Sequence, residues 1–221
     1  MSDLIVSYKD SVYISVDCER GIAQELSDYF TFKVPGYQFM PSYRNKMWDG
    51  TIKLYNIYKQ ELYAGLEQYV KTFAEERGYS VKYNNPLVSN NNISFEDTQK
   101  YINDKLQPAF KDEILKAYEH QVRAVQHGIN SNRCLLLSPT ASGKSLIIYS
   151  LIRHYMKVIP KDKKILVVVP TVSLVTQMYE DFKEYSKTDG EFDVFEECHG
   201  VFAGQDKIND SRIIISTWQS I

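Results

Sequence analysis

The sequence predicts an α/β protein in two parts: a small α+β unit, then a parallel sheet with helices on both faces. Three observations lead there. An asparagine-rich seam divides the chain, with five Asn, one Pro and one Ser between Asn84 and Asn92. After it, short wholly apolar runs at Cys134–Leu137, Ile165–Val169 and Ile213–Ile215 alternate with stretches of helical periodicity, the pattern of buried parallel strands. Before it, short strands and helices mix without that regular alternation. The first unit is placed at residues 1–95, with the linker over 84–95, and the second at 96–221.

Taken in order, Leu4–Tyr8 and Val12–Val16 read as strands around a Lys9-Asp10-Ser11 turn. Glu19–Phe30 carries Ile22, Leu26 and Tyr29 at helical spacing, and Thr31–Val34 is a strand stopped by Pro35-Gly36. Thr51–Tyr55 is a further strand. Leu66–Arg77 is a helix ended by Gly78, and Tyr79–Tyr83 is the closing strand. In the second unit, Glu113–Ile129 places Ile114, Tyr118, Val122, Val125 and Ile129 on one helical stripe. Ser145–Met156 and Leu174–Tyr185 are the helices that follow the first two apolar runs.

Composition narrows the function classes. The 221 residues are 43% hydrophobic, enough for packed cores, and no apolar run reaches the roughly 18 residues of a membrane span. The N-terminus MSDLIVSYKD lacks the basic start and apolar core of a secretion signal. Cys18, Cys134 and Cys198 are odd in number and far apart, which argues against a disulfide framework or a Cys-paired zinc site and suits a reducing compartment. Cytoplasmic residence is therefore expected, with no membrane partner. Net charge is −2, so no global basic field is present. A local one is. Between residues 40 and 60, Arg44, Lys46, Lys53 and Lys59 face only Asp49, an excess of +3 interleaved with Tyr43, Trp48, Tyr55 and Tyr58. Arg44, Lys46 and Lys53 are the candidate nucleic-acid contacts. Trp48 is expected to anchor the core instead, with Asp49-Gly50 as a turn.

The densest chemistry lies at Ser138-Pro139-Thr140-Ala141-Ser142-Gly143-Lys144-Ser145, between an apolar run and a helix. In that context Gly-Lys-Ser forms a phosphate cradle. Backbone N–H groups of Ala141 to Ser145 converge on the anion, and Gly143 permits an approach that a Cβ obstructs. Lys144 supplies a point charge to the phosphates, Ser145 a hydroxyl ligand to Mg²⁺, and the helix start a favourable dipole. Ser138 stands where the strict consensus has its first glycine.

With this loop and the pieces around it, the chain resembles superfamily 2 helicases and translocases. Upstream, Tyr118-Glu119-His120-Gln121 is similar to the family's adenine-recognition element. The resemblance implies that Gln121 reads the adenine edge with one donor and one acceptor and that Tyr118 stacks on the ring; alternatively Tyr118 belongs to the apolar stripe. Downstream, Val168-Val169-Pro170-Thr171 through Gln177-Met178 resembles the motif that grips the tracking strand, with Pro170 ending a strand and Thr171 capping a helix whose N-terminus meets a phosphate. Ile215-Ser216-Thr217-Trp218-Gln219-Ser220 resembles a second backbone-contacting motif, with Thr217 the phosphate ligand. The segment Gly36–Leu54, containing Tyr43-Arg44-Asn45-Lys46-Met47-Trp48-Asp49-Gly50, is similar to the leading domain of phage UvsW-type helicases.

That resemblance implies an N-terminal DNA-binding domain followed by part of a RecA-like P-loop motor domain. It implies ATP and Mg²⁺ as cofactors and branched DNA as the substrate, and the chain is expected to work as a monomer. Glu196-Glu197-Cys198-His199 imitates the family's Asp-Glu-x-His motif but precedes Thr217, opposite to the family's order, and carries Glu in the first position. It is read as a strand end before a Gly200–Gly204 loop. His120, His127 and His154 show no catalytic spacing. With no Asp-Glu-x-His after Thr217, the second unit is expected to be cut before its acidic motif, binding ATP weakly and hydrolysing it negligibly. Two other readings stay open on sequence alone. One is an RNA helicase or restriction-system motor, the other a non-catalytic DNA-binding module with a relic nucleotide site.

Overall fold

The alternation of apolar and polar residues in the first twenty positions is realised as a hairpin, β1 (Leu4–Tyr8) and β2 (Tyr13–Cys18), paired antiparallel with Leu4 opposite Cys18. Its turn is held by the Asp10 carboxylate, which accepts the N–H groups of Val12 and Tyr13 at 2.7 and 2.8 Å. The computed structural model describes residues 2–84, 92–131, 133–201 and 210–221. The chain divides into two compact units, Met1–Val88 and Ser89–Ile221.

In the first unit the hairpin is followed by α1 (Arg20–Tyr29), β3 (Thr31–Lys33), α2 (Pro41–Arg44), β4 (Thr51–Lys53), β5 (Glu61–Tyr63), α3 (Glu67–Arg77) and β6 (Val81–Asn84). Four of these strands make one sheet in the order β5-β2-β1-β6, with β6 parallel to β1. Leu4 and Val6 of β1 and Ile14 and Val16 of β2 are fully buried in one core with Leu26 of α1 and Val70 and Phe73 of α3. Burying such a side chain contributes about 1.5–3 kcal/mol. Helix α3 ends at Gly78, whose φ of +72° is the left-handed stop that glycine permits. β3 and β4 stand apart as a two-stranded ribbon, Thr31 opposite Lys53, with α2 in the connection between them.

Two expectations for this ribbon need correction. Tyr55 is 2% exposed, and its hydroxyl donates to the Val16 carbonyl at 3.1 Å, so it anchors the core and offers no stacking face. Trp48 is only half-buried and belongs to none of the core clusters. Its indole N–H is satisfied by the Thr51 carbonyl at 2.8 Å, which fixes the turn into β4 rather than a core.

The second unit begins with α4 (Phe95–Lys100), capped by Ser94 and running into a π-helical turn at Tyr101–Leu106. A short pair follows, β7 (Ala109–Phe110) with β8 (Glu113–Ile114). Then come α5 (Glu119–Asn130), α6 (Lys144–Val158), β9 (Ile165–Val169), α7 (Val172–Tyr185), α8 (Val194–Glu197), β10 (Cys198–Val201) and β11 (Ile213–Thr217). The last three strands named form a parallel sheet in the order β10-β11-β9. Leu146, Tyr149 and Ile152 of α6 and Val175 and Phe182 of α7 pack with Val167, Val169, Ile213 and Ile215 of the sheet. Arg153 of α6 is paired with Asp189 at 2.5 Å, both side chains almost wholly buried, and its guanidinium lies over the Phe192 ring.

Three sequence expectations fail here for physical reasons. The helix expected over 113–129 starts at Glu119. Residues 113–114 pair with 109–110, and Tyr118 takes an extended conformation as the N-cap, which leaves its ring 70% exposed and off the apolar stripe. The Cys134–Leu137 run is not a paired strand, and Leu135 and Leu137 are 81% and 89% exposed. An apolar run becomes a buried strand only beside a free backbone edge, and no described strand pairs with it. β9, expected to be covered on both faces, buries Val167 and Val169 but leaves Leu166 and Val168 about half exposed. Its covering helices lie on one side among the described residues.

Candidate nucleotide and nucleic-acid sites

The phosphate loop owes its shape to two left-handed residues. Ala141 has φ +63°, and Gly143, at the cap of α6, has φ +76°. A Cβ on Gly143 would stand 2.2 Å from Nε2 of Gln121, so any side chain there is strained at this φ and displaces the Gln121 amide. Gln121 is 5% exposed. Its Oε1 accepts the Tyr118 N–H at 2.9 Å, and its Nε2 donates to the Ser142 carbonyl at 3.1 Å. The side chain read from sequence as an adenine reader is therefore also a brace from the start of α5 to the loop. His120, which sequence reasoning set aside, bonds the same carbonyl through Nε2 at 3.0 Å and stacks on Tyr118 with centroids 5.8 Å apart. No spacing rule could have found it, because the contact crosses 22 residues.

Within the loop, Ser138 and Ser142 pair their hydroxyls, and Ser142 also donates to the Pro139 carbonyl at 2.8 Å. Ser138, the departure from consensus, thus closes the loop on itself. The Lys144 ammonium folds back onto the carbonyls of Ser138 at 3.1 Å and Pro139 at 2.5 Å. Thr140 and Ala141 are exposed at the tip. The Ser145 hydroxyl meets the Tyr185 hydroxyl of α7 at 2.9 Å. A nucleotide phosphate with its Mg²⁺ fits this donor set. The lysine charge rests on neutral carbonyls at the start of a helix, and the Ser145 hydroxyl follows it. An apolar-walled cleft of about 520 Å³ adjoins it, lined in part by His120, Leu136, Ser142 and Lys144.

The two motifs expected to touch a nucleic-acid backbone meet at one end of the sheet. Thr217, last residue of β11, is in register with Val169, last residue of β9, and Pro170 and Thr171 follow directly. Pro170 and Thr171 are exposed. The Thr171 hydroxyl caps α7 by accepting from the Leu174 N–H at 3.4 Å. Thr217 differs: it is 4% exposed, and its hydroxyl donates to Ser220 at 3.0 Å. In the first unit, Arg44, Lys46 and Lys53 are all exposed. Arg44 and Lys46 line a cleft of about 590 Å³ with Tyr43, Met47, Trp48 and Asp49. Lys53 lies on the β3–β4 ribbon.

The Glu196-Glu197-Cys198-His199 tetrad is a helix end running into a strand start, at α8 and β10, not the strand end expected. The part of the expected Gly200–Gly204 loop beyond Val201 lies outside the described residues. Burial pushes the Cys198 thiol up to about 12. Among the described residues no group of three or more His, Cys, Asp or Glu is arranged to hold a metal by itself.

A glycine-lysine-serine loop opening a helix beside a parallel sheet defines an α/β P-loop protein with a partial RecA-like domain. Residues 92–221 match the family described as type III restriction enzyme, res subunit, and residues 3–84 match DNA helicase UvsW, N-terminal. The ATP-dependent DNA helicase uvsW of Enterobacteria phage T4 is 32% identical over 220 residues, covering 99% of this chain and 43% of that protein. A crystal structure of the UvsW helicase from bacteriophage T4 superposes with a TM-score of 0.85 at 31% identity, over 98% of this chain and 75% of that one. Another T4 UvsW structure gives 0.86 at 31% identity, over 98% of this chain and 43% of that one. The chain belongs to the UvsW helicase family within superfamily 2. It spans less than half the length of the curated relative it matches.

Proposed function

We propose that this chain is the leading portion of an ATP-dependent DNA helicase that acts on branched DNA in recombination and repair, as a cytoplasmic monomer. The carrying observation is the Gly143-Lys144-Ser145 loop at the start of α6, with Gly143 in a left-handed conformation beside Gln121, in a chain of the helicase family. ATP with Mg²⁺ would supply the free energy for movement. The chain's own residues then divide the work. Lys144 leaves its two carbonyls for the phosphates, and backbone N–H groups of residues 141 to 145 enclose them. Ser145 offers its hydroxyl to the metal, and Tyr118 and Gln121 take the base. Arg44, Lys46 and Lys53 hold DNA by charge, and Thr171 with the start of α7 holds a backbone phosphate. Thr217 joins them once its bond to Ser220 opens.

The match of residues 3–84 to the UvsW N-terminal family supports a DNA helicase over a restriction-system motor. By itself the chain, which spans 43% of its curated relative, is proposed to bind nucleotide without turning it over. The test is ATP binding measured by calorimetry for the wild type and Lys144→Ala. Losing charge-assisted hydrogen bonds should weaken binding by about 10- to 100-fold. Equal affinities would refute the phosphate-loop assignment.

A further inference from the structure

The short helix α2 ends in a way that runs against its own stability. The Met47 N–H donates to the Ser42 carbonyl and the Lys46 N–H to the Tyr43 carbonyl, both at 2.9 Å. These two bonds make a Schellman stop, whose left-handed position is ordinarily glycine. Here that position is Lys46, at φ +57°, a backbone conformation unfavourable for any side chain. The next residue of such a stop ordinarily folds back as an apolar contact on the helix. Met47 instead stands 82% exposed.

The connection that carries Met47 is braced. The Tyr37 and Tyr43 rings meet edge to face with centroids 4.7 Å apart, and a Cβ on Gly50 would stand 2.4 Å from the Tyr37 ring. Met47 lines the cleft of about 590 Å³ together with Arg44 and Lys46. Asp49, the acid in that lining, has its carboxylate engaged by the Thr51 N–H and hydroxyl at 2.9 and 2.6 Å. An exposed apolar side chain among cations suits a polyanion whose interior is a stack of flat apolar faces. Phosphates meet the cations, and a slim, unbranched thioether fits between bases. Insertion costs least where stacking is already interrupted, as it is at a branch.

We propose that Met47 is a wedge that enters the interrupted base stack at a DNA branch, aimed by the left-handed backbone of Lys46 and flanked by the phosphate contacts of Arg44 and Lys46. This rests on the DNA reading of the first unit and adds to it a residue that distinguishes a branch from a continuous duplex.

The test is binding of this chain to a synthetic three-way DNA junction and to a plain duplex, with aminopurine at the branch reporting unstacking by its fluorescence. The wild type should favour the junction and raise the emission. Met47→Ala should lower that preference roughly five- to tenfold, the lower end of what one side chain in a base stack contributes, and remove most of the emission change. Its slope of log affinity against log salt should match the wild type, since no charge is lost. Met47→Leu, apolar and similar in volume, should retain both the preference and the emission change. Lys46→Gly should slow amide exchange at residues 46 and 47 by relieving the backbone, yet weaken junction binding. Undiminished junction binding in Met47→Ala or in Lys46→Gly would overturn the proposal. So would equal losses on junction and duplex in Met47→Ala, the mark of a merely structural role, or a wild type that binds DNA without favouring the junction. A wild type that bound neither DNA would refute the DNA reading and this inference with it. Binding that depends on Arg44 and Lys46 but not on Met47 removes this inference alone.

Discussion

The two units treat polar groups in opposite ways. The first buries an apolar core around its sheet and leaves Arg44, Lys46 and Lys53 exposed on and beside a two-stranded ribbon. The second draws polar groups inward. Arg153 and Asp189 pair in its interior, Gln121 spans from a helix cap to the phosphate loop, and Ser145 bonds to Tyr185. On the proposed function, the contrast follows from what each surface would hold. A nucleic-acid backbone presents charge at regular intervals and tolerates loosely placed cations. A phosphate with its metal needs donors fixed to fractions of an ångström, so they are braced by neighbours that are themselves satisfied.

Breaking the interior pair should have the largest effect. Asp189→Ala strands the Arg153 charge in the core and should destabilise the second unit by about 3–5 kcal/mol, read from denaturant unfolding. A loss below about 1 kcal/mol would mean that the pair is solvated, and the contrast between the units would weaken. Next comes Gly143→Ala, which meets Gln121 at 2.2 Å and is strained at φ +76°. It should cost at least about tenfold in ATP affinity. Gly36→Ala sharpens the point, since Gly36 has nearly the same φ of +75° with open space around it. It should lose only the backbone term, about 1 kcal/mol of stability, without touching nucleotide binding.

Gln121→Ala should cost about 1–3 kcal/mol by unpairing the Tyr118 N–H and leaving the Ser142 carbonyl to His120 alone. Faster hydrogen exchange at residues 118 and 142–144 would report it, and unchanged exchange there would deny the brace. The smallest stability effect, within about 0.5 kcal/mol, is expected for Arg44→Ala with Lys46→Ala. The same pair should weaken branched-DNA binding and reduce the slope of log affinity against log salt by nearly two. If the slope stayed at the wild-type value, these residues would not be DNA contacts.

Much of the candidate site was legible because its signals are local. The Gly143-Lys144-Ser145 triplet at a helix start is a backbone requirement written in consecutive residues, and Pro170-Thr171 before α7 is a helix cap of the same kind. Where the reading failed, a distant partner decided. Tyr55 looked like a surface aromatic beside basic residues, but the Val16 carbonyl, 39 residues away, gives its hydroxyl a buried place. The apolar stripe through Ile114 and Tyr118 looked continuous, yet pairing at residues 113–114 and the extended cap at Tyr118 break it.

The sequence by itself determined the division at the asparagine-rich seam, the parallel character of the second sheet and the identity of the phosphate loop. Each is set by composition or by periodicity over a few residues. Only the tertiary structure decided which side chains serve that loop. Gln121 and His120 meet at Ser142, and Ser145 meets Tyr185 across 40 residues. Such meetings depend on how helices pack over the sheet, and packing is a property of the whole core that no short window of sequence contains.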